Sequence, residues 1–344
     1  MKHAHQFYID GVWVDPIEGR LIDVIDPATE RPFASVALGG EADARRAIAA
    51  ARKAFPAFSQ SPREERLALL ERIAEILRRR NDEIGDIISR EIGAPRTMAR
   101  QEQAWIGLHH FEATIRAFRT FQFDYMQGTT RIVHEAGGVV AMITPWNWPI
   151  NQIACKVAPA LATGCTMVLK PSEVSPLNAV LFAEVLEEAG VPPGVFNLVQ
   201  GDGATVGAVL SSDPDVDMVS FTGSTRAGVA VAQAAAPTVK RVHQELGGKS
   251  PNIILRSAAF DEAVRDGVLK CFGNSGQSCN APTRMLVPAE RMDDAIHAAS
   301  AAAGSLRLGP PEDPSTDLGP VVSRAQFVRI QALILKGIEE GAQL

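Results

Sequence analysis

Long apolar runs are missing from this sequence. No stretch approaches the roughly 18 consecutive apolar residues of a membrane-spanning helix, so no membrane span is expected. Cysteine is scarce. Four in 344 residues, irregularly spaced, give neither a disulfide framework nor a zinc signature, and no metal site is expected. The opening MKHAHQFYIDG has no apolar core and does not read as a secretory signal. A reducing, cytoplasmic compartment is the default that follows. An excess of basic charge is absent too. Lys and Arg number 34 against 40 Asp and Glu, a formal net charge of -6, which argues against a nucleic-acid partner. What is present is 46% hydrophobic and 22% charged residues, the composition of a soluble globular protein. The length calls for two domains.

The first 40 residues read as short strands and turns. HQFYIDGVWV alternates around Asp10-Gly11, a hairpin signal, and IDVIDPATE ends a strand in a turn at Asp26-Pro27. Helical periodicity then takes over. Glu41 to Phe58 is alanine-rich, with Asp43 suited to the dipole of the first turn and Pro56 ending or bending the helix. Ser61-Pro62-Arg63-Glu64 reads as a cap, a first-turn proline and a capping-box acid. The helix behind it is interrupted at Asn81 and resumes to Glu91. A long helix is expected from about Arg96 to Arg119, and a polar hairpin around Gly128.

From residue 139 strands and helices alternate. VVAMITPW, CTMVLKP, VFNLVQG, MVSFTGS, VHQEL, PNIILR and TRMLVP read as strands, with helices closed by Gly164 and Gly190 among those between them. The expected fold class is α/β, a parallel sheet covered on both faces.

Five segments carry chemistry. Cys279, in FGNSGQSCNAPTR, has small polar neighbours that do not build a core, so its thiol is a candidate nucleophile on a loop. Cys155, Cys165 and Cys271 sit in apolar patterns and read as small buried hydrophobes. Glu245 ends VHQEL beside two glycines, as a catalytic base or a surface turn acid. Asn147, in ITPWNWP, is an oxyanion donor or a turn residue beside core tryptophans. Lys170 and Glu173, in LKPSE, fall at a strand's carboxyl end, either to hold ribose hydroxyls or as a charged surface pair. Gly223 and Ser224, in FTGSTRAG, open a helix that either receives a phosphate or is merely capped, without the usual G-x-G-x-x-G pattern.

Taken in order, ITPWNWP, LKPSE, FTGSTRAG, ELGGKSPN and GQSCNAPTR closely resemble the NAD(P)-dependent aldehyde dehydrogenase superfamily. The resemblance implies an aldehyde dehydrogenase-like fold: a Rossmann-variant cofactor domain from residues 1–119 and 138–247, a catalytic domain from 248–344, and an oligomerisation hairpin at 120–137. It implies Cys279 as nucleophile, Asn147 as oxyanion donor and Glu245 as the base that hydrolyses a thioester. It also implies cofactor contacts at Ile143, Thr144, Pro145, Trp146, Lys170, Glu173, Gly223, Ser224 and Gly247. The implied substrate is a small-molecule aldehyde, and the implied assembly of a full-length form is a homodimer or homotetramer. Glu173 favours NAD because a carboxylate there repels a 2′-phosphate, although Lys170 can serve NADP as well.

Family members run beyond this length, and no EIFGP-like segment occurs here. GAQL at the end resembles a strand's opening, so the expectation is a chain truncated within its catalytic domain. Two other readings stand beside aldehyde oxidation. One is a coenzyme-A-acylating aldehyde dehydrogenase, which Glu245 disfavours. The other is a non-catalytic nucleotide- or partner-binding protein.

Overall fold

The computed structural model describes residues 1–17 and 19–344. In chain order the first elements are β1 (Phe7–Ile9), β2 (Val12–Val14), β3 (Arg20–Asp26), β4 (Arg31–Leu38), α1 (Glu41–Ser59), α2 (Arg63–Arg79), α3 (Asn81–Ile92), α4 (Arg96–Met98) and α5 (Trp105–Thr120). Next come β5 (Asp124–Gln127), β6 (Thr130–Val133), β7 (Val139–Ile143), α6 (Pro149–Ala162), β8 (Thr166–Lys170), α7 (Leu177–Glu188), β9 (Phe196–Leu198) and α8 (Ala208–Ser212). The last are β10 (Met218–Gly223), α9 (Thr225–Ala235), β11 (Arg241–Leu246), β12 (Pro251–Ile253), α10 (Phe260–Phe272), β13 (Arg284–Leu286), α11 (Met292–Gly304) and α12 (Arg324–Glu339). The chain forms two compact units: residues 1–24, 32–88 and 99–246, and residues 25–31, 89–98 and 247–344.

The first unit is built on a seven-stranded sheet in the order β11-β10-β7-β8-β9-β1-β2. The five strands from β11 to β9 are parallel, and the β1–β2 hairpin adds antiparallel at the far edge. β7 and β8 are buried along their whole length, which is why they read as continuous apolar runs. One face carries Val139, Ala141, Ile143, Val219 and Phe221 against α1, α8 and α9. On the other, α6 and α7 cover the sheet with α2 and α5 behind them. There Phe182 packs between Phe111 and Phe196, with ring centroids 6.2 and 6.0 Å away. Such aromatic pairs are worth about 1 kcal/mol beyond the area they bury. Gly164 ends α6 at φ +78, a left-handed position that a Cβ disfavours. The hairpin expected around Gly128 is β5–β6, and it is almost wholly exposed.

Several local expectations are corrected. Ser61 does not cap α2. Its Oγ donates back to Phe58 O at 2.6 Å and closes α1, while Pro62 takes the cap position without a side-chain bond. Pro56 does not end α1, which continues to Ser59. Asp43 is fully buried and accepts from the N–H groups of Ile17 at 2.9 Å and Gly40 at 3.1 Å, so it ties chain segments together as well as facing the dipole. The long helix after Arg96 is broken by a π-helical stretch, Ala99–Ala104. β4 carries no strand signal in the sequence, because RPFASVAL contains a proline and buries only its last three residues instead of alternating.

The second unit holds the parallel pair β12–β13, which does not extend the large sheet. Ile254, Phe260, Val264 and Ala295 form its core between α10 and α11. α12 is opened by Ser323, whose Oγ accepts from Gln326 N–H, and none of its residues is buried. Among the described residues no helix is long and apolar enough to cross a membrane.

Candidate active site

Chain order places β8 and β9 on one side of β7, and β10 and β11 on the other. Ligands of open parallel sheets bind beyond the carboxyl ends of the strands, where that order reverses. Here the reversal lies between β7 and β10. β7 runs out through Ile143 into Thr144, Pro145, Trp146 and Asn147, and Thr144 N–H still bonds Lys170 O at 3.1 Å. β10 runs out through Gly223 into Ser224, whose Oγ accepts from Ala227 N–H and caps α9.

Lys170 is 3% exposed, so it is not part of a surface pair. Its Nζ donates to Pro171 O at 2.7 Å and Gly201 O at 2.8 Å, and Glu173 Oε2 lies 3.5 Å away. Burial pushes its pKa down, and Glu173 opposes that. With two of three ammonium donors used, one N–H remains to share between Glu173 and a ligand. Glu173 itself is partly exposed. A Cβ on Gly207 would meet nothing nearer than Asp202 O at 3.7 Å, Lys170 Cδ at 3.9 Å and Ile143 Cδ1 at 4.0 Å, and one on Gly203 would meet nothing within 4 Å. A lysine–carboxylate pair for vicinal hydroxyls, open backbone beside it and the amino end of α9 fit a dinucleotide at this edge.

Glu245 lies on the edge strand β11 with its side chain 63% exposed and His243 Nε2 3.7 Å from Oε1. In the second unit Cys279 falls in a turn closed by Ala281 N–H to Ser278 O, and it is half-buried. The loop before it is held at two points. Ser275 Oγ donates to Gly319 O at 2.8 Å, and Gln277 Oε1 accepts from Val322 N–H at 2.9 Å. Asn274, Ser275 and Gly276 all have positive φ, a tight left-handed run that fixes the approach to the thiol. A cavity of 1030 Å³ in this unit is walled by Phe272, Ser275, Gly276, Leu318, Val322 and Phe327. Gly247 leaves open space where a side chain would stand.

The other cysteines are not all core residues. Cys165 is buried, but Cys155 and Cys271 are partly exposed. Cys155 lies on a half-buried stripe of α6, and Cys271 opens on the cavity.

Comparison with known proteins decides the family. The model described as "Aldehyde dehydrogenase family" matches residues 13–344. The chain belongs to the aldehyde dehydrogenase family. A 3-succinoylsemialdehyde-pyridine dehydrogenase of Pseudomonas sp is 50% identical over 345 residues, covering 100% of this chain and 72% of the relative. A putative aldehyde dehydrogenase of Staphylococcus epidermidis is 42% identical with the same coverage. Among solved structures, an aldehyde dehydrogenase C variant of Pseudomonas syringae with NAD+ and octanal superposes with a TM-score of 0.98 at 51% identity, over 100% of this chain and 71% of that one. Betaine aldehyde dehydrogenase of Staphylococcus aureus with NAD+ gives 0.95 at 34% identity, over 100% and 70%. By family this chain is an NAD-dependent aldehyde dehydrogenase.

One residue of this aldehyde dehydrogenase escaped the sequence reading. Lys156 on α6 is 7% exposed and donates to Thr222 Oγ1 at 2.8 Å and Ser220 Oγ at 3.2 Å. Thr222 is the register partner of Glu245. The only available signal was a lysine inside the otherwise apolar run IACKVAPALA.

Proposed function

We propose that this chain oxidises an aldehyde to a carboxylic acid with NAD, through a thiohemiacetal and a thioester on Cys279. Cys279 Sγ attacks the aldehyde carbon. The Asn147 side-chain amide and the Cys279 backbone N–H donate to the oxyanion that forms. Bound NAD supplies the acceptor for the hydride that leaves this carbon. The remaining thioester is attacked by a water from which the Glu245 carboxylate takes a proton, and the acid departs as the thiolate returns.

Lys170 and Glu173 hold the adenosine ribose, and Gly223 and Ser224 lie at the pyrophosphate. Ile143, Thr144, Pro145, Trp146 and Gly247 line the cofactor's path. The partly exposed Glu173 carboxylate disfavours a 2′-phosphate, which favours NAD over NADP. The exposed β5–β6 hairpin serves self-association into a dimer or tetramer. Octanal in one relative's structure and the pyridine semialdehyde named for another both suit an extended acyl group.

What supports this reading most is the Cys279 turn, the one cysteine position held by a doubly anchored, left-handed loop. Cys279→Ala should abolish NADH formation while calorimetric NAD affinity stays unchanged. Substantial remaining turnover would remove the assignment. Analysis of the product as free acid or acyl-coenzyme A distinguishes hydrolysis from thiol transfer.

A further inference from the structure

β11 forms one edge of the large sheet, and its side chains alternate between the two faces. Val242 and Leu246 pack into the core beside α9, and Gln244 Nε2 donates to Gly228 O on that helix. His243 and Glu245 point the other way, to the face that α6 covers. Their register partners on β10 are Ser220 and Thr222. Lys156 Nζ donates to both of those hydroxyls. The result is a polar patch: two hydroxyls under a buried ammonium and, on the edge strand beside them, a histidine next to a carboxylate. His243 Nε2 lies 3.7 Å from Glu245 Oε1. The hydrolysis assigned to Glu245 makes no use of this imidazole so far.

Hydrolysis leaves Glu245 with a proton to lose. Water attacks the thioester carbon, one of its O–H bonds breaks, and that proton passes to the carboxylate. The acid departs and the sulfur returns as a thiolate. Before the next turnover Glu245 must be an anion again, so its proton must reach solvent.

Three groups in the first unit act on this carboxylate or lie beside it. Lys156 is 7% exposed and its ammonium has no lone pair, so it neither takes the proton nor opens to water. Burial pushes the Cys155 thiol up, Glu245 adds to that push, and its hydrogen turns to Gln152 O at 3.5 Å. His243 alone combines a ring nitrogen that can accept with a side chain 56% open to solvent. Histidine is the side chain that takes and gives protons near neutral pH. A separation of 3.7 Å is too long for a direct hydrogen bond. One bridging water, or a small turn of two half-exposed side chains, closes it.

We propose that His243 is a positioning residue that readies Glu245 for each turnover by carrying its proton to solvent. The Glu245 O–H bond breaks as an N–H bond forms on the ring, and the imidazolium then releases a proton to water or a buffer base. This rests on the assignment of Glu245 to hydrolysis.

The test uses wild type, His243→Ala, Glu245→Gln and the double variant with octanal and NAD, in dilute buffer with and without added imidazole. Stopped-flow absorbance reads the burst and the steady state. His243→Ala should keep the NADH burst and slow the steady state about tenfold in dilute buffer. Imidazole, entering the space left by the ring, should restore it to within about twofold of wild type. Added to Glu245→Gln, His243→Ala should cost nothing more, because residues that act as a unit are not additive. An unchanged steady state, a burst that falls with it, a slowing that imidazole does not relieve, or the same loss in both backgrounds would overturn this proposal and leave the dehydrogenase reading standing. A Glu245→Gln steady state equal to wild type would overturn the assignment of Glu245, and this proposal with it. A wild type that forms no NADH would overturn the dehydrogenase reading itself, and the proposal that rests on it.

Discussion

Lys156 Nζ reaches Thr222 Oγ1 at 2.8 Å, and this bond sets a buried cation on the sheet face that also carries Glu245. Thr222 and Glu245 are register partners in parallel strands, so their side chains project to the same side. α6 crosses that side and delivers Lys156 from above. The edge strand β11 is therefore electrostatically linked to a helix far from it in sequence.

The first prediction concerns this lysine and pH. Burial is the main influence on Lys156 and pushes its pKa below 10.5, with Cys155 and Glu245 acting the other way. Between the folded value and 10.5 the unfolded chain binds more protons than the fold does. The stability contribution of this group therefore rises with pH through that window. Lys156→Met removes the rise. Its urea midpoint relative to wild type should be more favourable at pH 7 than at pH 9.5. The same difference at both values would show that the lysine is not burdened by burial.

Glu245→Gln separates chemistry from hydrolysis. Without the carboxylate, NADH should still appear in a burst equal to the active sites, while steady-state turnover falls about 100-fold. Stopped-flow absorbance reads both phases. A burst reduced as much as the steady state would place Glu245 at an earlier step.

Glu173→Gln tests the ribose contact. A charged hydrogen bond lost to a neutral one should weaken NAD about tenfold, because bonds to charged groups are worth about 2 kcal/mol. NADP should lose less, since the repelling charge has gone. Calorimetric titration of both cofactors gives the ratio, and an unchanged ratio would move Glu173 away from the 2′-hydroxyl.

Gly138→Ala is a stability prediction. Gly138 has φ +108, and a Cβ there would lie 2.0 Å from Asp217 Oδ2. That oxygen accepts from Val139 N–H at 2.7 Å and Arg52 Nη2 at 2.7 Å. The substitution strains the backbone and displaces both bonds at the entry to β7. A loss of about 3 kcal/mol is expected in urea unfolding, with unchanged slope. A midpoint close to wild type would show that Asp217 can move aside at little cost.

The parallel strands were legible because both of their faces are covered. VVAMI and TMVLK need no partner to announce burial, and the glycine that ends α6 marks its own position. β4 was not legible, since its burial depends on what packs against its last three residues. Ser61 departs from its expected role for a related reason. Its cap-like spacing is real, but the nearer acceptor at Phe58 O took the hydroxyl. Lys170 and Glu173 could be placed at a strand end from LKPSE, whereas their unequal exposure could not.

Local chemistry along the chain determined the α/β alternation, the loop character of Cys279 and the motif order that names the family. Each element and each motif depends on residues within a few positions of one another, and the motif order needs only their sequence from residue 143 to 284. Tertiary structure alone decided which strand neighbours which, and so that the strand order reverses between β7 and β10. It alone set Lys156 against Thr222, His110 against Asn151, and Asp217 against Gly138. Those pairs are separated by 41 to 79 positions. Periodicity reports which face of an element is apolar, but not which distant side chain will supply the hydrogen bond that its buried polar groups require.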